Sequence, residues 1–428
     1  MQMSTRLAVV YDRGAVSPAE ISSGLRGLGE VVFLCPETDH NRDLLPLLRE
    51  MGQVIRLSSD RGEAVRQVAG ASPDAILTFS ERALPITSAL GTGLGLPVNS
   101  EESVRRLTDK FLQRSALRDA GVDSVECAAV SSVDEWWRLP AGLVFPVVVK
   151  PSRGAGSRNV HVVADERAGE ELVARLLAPV RTGGAGETRL VVEELLTGRD
   201  CAPFGDYVSV ESLVCDGVVS HIAITGKLPL SRPFREVGQF WPSTLSERDG
   251  EPVLRLAAAA VRALGMRTGL VHTEVKLCAE GPRVIEVNGR LGGWINDLST
   301  RAAGLNLVEL AGRVALGERA RVDPVAPDRV YFKCNNLPPL RPCRFEGVDG
   351  VDQVRRIPGL TGYRPLVRPG AVLDGSAVDT YELDVITGDA ADHRDMLGII
   401  DAVSESLTFV CTIDGRQARF RGPELAAL

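Results

Sequence analysis

"GLVHTEVKLCAEGPRVIEVNGRLGGW", residues 269–294, reads as two short strands around a turn. Side chains alternate faces along a strand, so Glu286, Asn288 and Arg290 share one face. Counting back through a turn centred near Glu280 sets Glu274 opposite Glu286. Like charges directly opposite each other destabilise a strand pair, so something positive is expected between them. Magnesium takes oxygen ligands in near-octahedral geometry and keeps phosphate and water among them. Glu274, Glu286 and the Asn288 amide would offer three oxygens on one surface, and Arg290 can fork onto a phosphate. For each residue by itself a solvated face with a surface Glu–Arg pair is the better reading. For the four together, inside an otherwise apolar "VIEVNGRLGG", it is weaker, because Asn and Gly are poor strand formers that this strand keeps.

Other stretches carry related chemistry. "VVVKPSRGAGSRNV", residues 147–160, is a strand ending in Lys150, a loop with Ser152, Gly154, Gly156 and Ser157, and a second strand. Glycines let backbone N–H groups approach phosphate oxygens. The loop is neither a Walker A motif, since its Lys precedes the glycines, nor a dinucleotide fingerprint, since Asn159 replaces the third Gly and a strand follows. An ordinary Gly-rich hairpin is an equal reading of this stretch. "VVEELLTGRD" puts Glu193 and Glu194 at a strand end with Asp200 beyond, either as surface charges or as partners for an adenine amino group and ribose hydroxyls. Lys110 in "LTDKF" reads as a solvated charge when taken alone, and Lys227 in "AITGK", at a strand end before a Pro-rich loop, is open between a surface charge and a site residue. His272 shares a face with Glu274 and reads as a structural histidine.

The 428 residues allow roughly two to four domains. Net charge is −7 without long runs of one sign, and aromatics are 5%, which argues against nucleic-acid and polybasic membrane partners. Eight scattered cysteines form no C-x-x-C, so neither a zinc site nor a disulfide framework is expected. The apolar run from Leu7 to Tyr11 is too short for a signal peptide, and no stretch is long enough to span a bilayer as a helix. A cytoplasmic protein with reduced thiols is the expectation.

Along the first hundred residues "RLAVVYD", "VVFLCP", "QVIRLSS" and "PDAILTFS" alternate with amphipathic stretches, the rhythm of β-α-β units and a parallel sheet. A single helix is expected from Ser100 to Gly121, a long loop from Leu228 to Thr244, a helix over residues 251–265, and two helical pieces around Gly304. From about Ala320 the chain reads as a small α+β closing domain.

This order of elements resembles the ATP-grasp superfamily of carboxylate–amine ligases, from about residue 1 to at least Glu318. The elements that carry the resemblance are an open α/β domain, a helix bearing Asp-Lys, the strand-Lys-Gly-loop-strand unit, the "VEELLTG" linker and the final E…E-x-N-x-R. It implies an α/β ATP-grasp fold: an N-terminal open parallel α/β domain (1–122), a two-part α+β nucleotide-clasping region (123–197 with the lid, 198–319 with the metal site) and a small C-terminal α+β domain (320–428). It implies ATP and Mg²⁺, for which Mn²⁺ can substitute. Lys110 and Lys150 would meet ATP phosphates under a lid of Ser152, Gly154, Ala155, Gly156 and Ser157. Glu193, Glu194 and Leu195 would meet adenine, Asp200 the ribose, and Glu274, Glu286 and Asn288 the metal.

Within the superfamily, "PFREVGQFWPS" and "EVNGRLGGW" are most similar to the L-amino acid ligases, which make dipeptides. Members often read E-x-G-H in the first stretch; Gln239 stands where that His would be. The resemblance implies small-molecule carboxylate and amine substrates, with Glu236, Gln239, Gly292, Gly293 and Trp294 around them and Arg290 and Lys227 in catalytic roles. A homodimer is left open. The reaction expected is activation of an amino acid carboxylate as an acyl phosphate, then attack by an amine. The alternatives are transfer to a carrier-protein thiol or to ammonia, or a nucleotide-binding regulator without catalysis. An NAD-dependent dehydrogenase is disfavoured by the failed fingerprint.

Overall fold

A computed structural model describes residues 5–154, 156–178, 186–373 and 382–428. The N-terminal strands β1 (Arg6–Val10), β2 (Glu30–Cys35), β3 (Gln53–Arg56) and β4 (Ala75–Leu77) form a parallel sheet in the order β3-β2-β1-β4. Both faces are covered, as a parallel sheet requires. Leu7 and Val9 pack toward Leu307, Val308 and the back of the largest sheet, while Ala8 and Val10 pack under Ala64 and Val68. A second sheet is antiparallel, ordered β5-β8-β6-β7, from β5 (Cys127–Val130), β6 (Val147–Pro151), β7 (His161–Val163) and β8 (Leu190–Glu194).

The largest sheet positions the site. Its strands are β9 (Tyr207–Cys215), β10 (Val218–Lys227), β11 (Gly238–Trp241), β12 (Gly269–Cys278), β13 (Gly281–Asn288), β14 (Val330–Cys334), β16 (Leu360–Pro365) and β18 (Asp384–Ala390), ordered β13-β12-β9-β10-β11-β14-β18-β16. A fourth sheet joins β17 (Val372–Leu373), β15 (Cys343–Asp349), β19 (Thr408–Ile413) and β20 (Arg416–Phe420). No helix among the described residues is long and apolar enough to cross a membrane.

Three expectations are corrected. The stretch from Ser100 to Gly121 is two helices, Glu101–Thr108 and Lys110–Asp119. The break is Asp109, whose carboxylate accepts from the N–H groups of Phe111 and Leu112 at 3.1 and 3.2 Å and so starts a second helix. The helix expected over 251–265 spans Glu247–Ala263, because Ser246 caps it by accepting from Asp249 N. The segment Leu228–Thr244 is not all loop: Gly238–Trp241 is wholly buried as β11 between β10 and β14. Residues 320–428 build the fourth sheet and most of one core cluster, but are not confined to them. They contribute β14, β16 and β18 to the same sheet that carries Glu274 and Glu286.

The outer edge of β13 has no neighbouring strand, and an open edge leaves N–H and C=O groups without partners. The helix Lys110–Asp119 covers it. Gln113 donates to Val287 O at 2.9 Å and accepts from Val287 N at 2.8 Å. Arg114 donates to Val284 O at 2.5 Å and Ile285 O at 2.8 Å, beside the register shift that follows Glu274. Asp123 accepts from Val284 N at 2.6 Å. Lys110 lies one helical turn from Gln113 and Arg114 on the same face, so docking that face onto β13 carries Lys110 to Glu286.

Candidate active site

Glu274 and Glu286 are direct cross-strand partners, and His272 is the partner of Asn288. Each carboxylate has its own cation. Lys110 Nζ donates to Glu286 Oε1 at 2.6 Å and to Gly154 O at 2.8 Å. His272 Nε2 lies 3.6 Å from Glu274 Oε1, while its Nδ1 bonds Glu211 at 2.7 Å. Burial opposes charge on the His272 ring, but Glu211 and then Glu274 override it and raise its pKa to about 9. Burial likewise opposes charge on Lys110, and Glu286 and Glu81 more than offset it. The positive charge expected between the two acids is thus supplied from both sides. Among the described residues no cluster of three or more His, Cys, Asp or Glu side chains could hold a metal by itself. Two carboxylates and an amide oxygen on one face do fit a magnesium ion that takes its remaining ligands from phosphates and water.

Arg290 follows on the same face. Its guanidinium donates to Asn288 Oδ1 at 3.2 Å, Leu291 O at 2.9 Å and Glu81 at 3.3 Å. Glu81 belongs to the N-terminal region and is 10% exposed; burial raises its pKa, and Arg290 works against that rise. Sequence reading missed it, because nothing local marks a Glu after a strand as a partner for a residue 209 positions away.

The Gly-rich loop lies beside this face, with Lys110 N donating to Ser152 O at 2.8 Å. Ser152 is buried, and Gly154, Gly156 and Ser157 all have positive φ. Ala155 lies outside the described residues. Behind the loop stands a buried triad. Arg114 forks onto both oxygens of Glu193 at 3.0 Å each, and Lys150 Nζ lies 2.8 Å from Glu193. Burial would raise the Glu193 pKa, but Arg114 and Lys150 hold it down at about 2. Lys150 is pushed down by burial and by Arg114, against the pull of Glu193.

The other expected nucleotide residues have these partners. Both oxygens of Glu193 are held by cations, Arg114 and Lys150. Glu194 accepts from Glu126 N at 3.0 Å and faces Arg283, Leu195 is half-buried, and exposed Asp200 accepts from Ala202 N. Lys110, expected at the phosphates, is paired with Glu286 in the nucleotide-free protein.

A cavity of about 530 Å³ opens on the same sheet face, lined by Lys227, Glu236, Gln239, His272, Gly293 and Trp294 from one side. Lys227 Nζ donates to Glu236 at 3.0 Å and Gln239 Oε1 at 3.1 Å. Glu236 also accepts from Tyr207 Oη at 3.2 Å, yet its side chain stays 47% exposed. Burial opposes its charge, while Lys227, His272 and Lys333 hold its pKa down at about 2. Gln239 is committed at both ends, its Nε2 donating to Gly293 O at 2.7 Å. It ties the Gly292–Gly293 turn to Lys227, leaving one N–H and one lone pair of the amide toward the cavity that it lines. A Cβ at Gly292 would stand 2.4 Å from His272 Nδ1, so only glycine fits there.

Trp294, at φ 63°, donates from its indole N–H to Glu382 at 3.2 Å. Arg364 lies 4.6 Å and Lys333 5.5 Å from its ring centroid. It lines the cavity and is half-buried, not a core residue. Lys333, Asn335, Glu382 and Arg368, the polar residues of the lining beyond residue 320, carry no local motif and were not foreseen.

Residues 143–297 match the family model of the ATP-grasp domain. Among curated proteins the chain is 28% identical over 232 residues to alanine–anticapsin ligase of Bacillus subtilis (strain 168), covering 52% of this chain and 49% of that protein. It is 21% identical over 318 residues to the L-arginine-specific L-amino acid ligase of Bacillus subtilis, covering 72% and 73%. The chain spans about half the length of the first curated relatives it matches. The crystal structure of an L-amino acid ligase from Bacillus licheniformis superposes with TM-score 0.74 at 22% identity, covering 96% of this chain and 99% of that one. With the open parallel sheet, the loop at Lys150 and the acids on β12 and β13, residues 143–297 of this chain match an ATP-grasp domain, and the chain shares the fold of that ligase structure.

Proposed function

We propose that the protein is an ATP-dependent ligase that activates an amino acid carboxylate as an acyl phosphate and joins it to an amine, releasing ADP and phosphate. One observation carries this reading. The face that holds Glu274, Glu286, Asn288 and Arg290 continues into a cavity where an anionic, half-exposed Glu236 stands among cations. A zwitterionic substrate fits that pattern, with its ammonium on Glu236 and its carboxylate toward Arg290. The names of the relatives, which include amino acid ligases, support the same class.

A carboxylate is a poor acyl donor because its leaving group would be oxide. Bound MgATP supplies the phosphoryl group that turns the leaving group into phosphate; Glu274, Glu286 and Asn288 would hold the metal, and Lys110 and Lys150 the phosphates. The remaining work is positioning and charge neutralisation by the chain itself. Arg290, steadied by Glu81, Asn288 and Leu291 O, faces the reacting carboxylate and stabilises the oxyanion that forms when the amine adds. Lys227, locked between Glu236 and Gln239, keeps a positive charge in the site. The Ser152–Ser157 loop excludes water from an intermediate that water would hydrolyse. No side-chain nucleophile is required.

The test is ADP and phosphate release over a panel of amino acids, singly and in pairs. Turnover that needs both a carboxylate and an amine, with the amide product found by mass spectrometry, supports the reading. ADP formed without dependence on a second amine would replace it with kinase or carrier chemistry.

A further inference from the structure

The cavity is longer than one amino acid. Its lining runs from His272 on β12 to Lys333 on β14 and Asn335 just after it, with β9, β10 and β11 between. That is four strand spacings, about 19 Å at about 4.8 Å each. An extended residue advances only about 3.5 Å. A substrate with its carboxylate near Arg290 and its ammonium on Glu236 occupies the β12–β10 end. The β14 end faces a second wall, made by Leu366, Val367, Arg368, Ala371, Val372 and Leu373.

That wall has two properties. It is apolar and open: Leu366 is 43% and Val372 77% exposed. It also carries the one cation of the lining with no acid or acceptor for its side chain among the described residues. Lys227 has Glu236 and Gln239, Lys333 has Glu382 at 2.5 Å and Asn335 at 2.6 Å, and His272 has Glu211. Arg368 has none, although it lines the same cavity. A guanidinium offers a planar fork that matches a carboxylate bidentately. A ligand that satisfies this end brings an anion for Arg368 and aliphatic surface for Leu366 and Val372.

We infer that Arg368 and the apolar wall beside it select the acceptor, as an α-amino acid with a free carboxylate and an aliphatic side chain. This rests on the ligase reading. Carboxylate on Arg368 and side chain on the wall leave the amine pointing back toward the activated carbonyl at the β12–β10 end. Ammonia, a simple amine or a carrier-protein thiol has nothing for Arg368 to hold.

The experiment measures ADP release with MgATP and alanine as donor. The acceptors are leucine, leucinamide and 3-methylbutylamine, which keep the side chain and alter or remove the carboxylate. The intact protein should prefer leucine by about ten- to a hundred-fold in kcat/KM, the scale at which a site built for a polar group rejects the analogue without it. Arg368→Gln should raise the KM for leucine about ten-fold or more and collapse its preference over leucinamide. Arg368→Lys should keep part of the preference, and Arg368→Glu should reverse it. Arg368 is exposed, so these variants should fold. Leucinamide used as well as leucine by the intact protein would overturn the inference while leaving the ligase reading in place. So would an Arg368→Gln effect on the donor's KM instead of the acceptor's. No ADP with any donor and amine would remove the ligase reading, and the inference with it.

Discussion

Lys110 grips the carboxylate of Glu286, so neutralising that carboxylate has two consequences. Glu286→Gln should remove most turnover, since a neutral amide is a weak magnesium ligand. It should also lower the stability of the nucleotide-free protein. Repulsion between Glu274 and Glu286 alone would argue for a gain, but Lys110 is only 11% exposed and would lose its acid partner. Hydrogen bonds to charged groups contribute about 1.5–3 kcal/mol, so a loss of about 2 kcal/mol is expected in urea denaturation without nucleotide. A variant as stable as the parent would mean that repulsion decides the balance. The acids themselves could be read from their alternation in "HTEVKLC" and "VIEVNGR". Their partners could not, since Lys110 stands 176 residues from Glu286 and looked like a solvated charge.

The helix Lys110–Asp119 serves as the missing neighbour of β13, and its Arg114 ties that edge to Glu193 on β8. The triad of Arg114, Glu193 and Lys150 therefore holds the second sheet against the largest one. Glu193 sits at about 2, against 4.5 for a free carboxyl. A depressed carboxylate contributes stability that is fully present above pH 4.5 and is lost as pH falls from there toward 2. The shift corresponds to about 3 kcal/mol. Urea midpoints for the parent and Glu193→Gln should differ most at pH 6–7, and the gap should shrink steadily from pH 4.5 toward pH 2. A gap of constant size from pH 6 down to pH 2.5 would assign the effect of the substitution to packing. The helix itself was legible from Ser100 and Gly121, but its division was not. Asp109 was read as one more polar residue inside a helix, and its capping role follows from a chain direction set by contacts with β13. The parallel N-terminal strands were legible because burial on both faces leaves continuous apolar runs.

Over the whole molecule, the site is assembled from regions far apart in sequence. Glu81 reaches it from the N-terminal region, Lys110 and Lys150 from the two elements around the second sheet, and Lys333, Arg368 and Glu382 from beyond residue 320. Glu81→Ala should leave the fold intact yet lower kcat about ten- to a hundred-fold, the cost of a misplaced catalytic group. The KM for ATP should change little, and Glu81→Gln should recover part of the rate by still accepting from Arg290. Equal losses in both variants would mean that Glu81 acts through its charge and not as a positioning residue. Motif reading covered the half of the candidate site proposed for phosphate, because that chemistry needs glycines, a lysine and paired acids at fixed spacing. The half proposed for the acceptor is written in isolated residues on β14 and after β16, which no spacing marks.

The continuity of the largest sheet through β11, β14 and β18 bears on how this chain could be re-engineered. Exchange of residues 320–428 between relatives would not be a domain swap. The crossover would cut through a hydrogen-bonded ladder, so that Gly238–Trp241 must pair with a foreign strand in place of β14, and a poor match there exposes an edge that invites intermolecular pairing. Chimeras joined there inherit a folding problem before they inherit a substrate preference. New acceptor selectivity is more accessible by point changes on the wall from Leu366 to Leu373, which line the cavity without touching the strand order that holds Glu274 and Glu286 together.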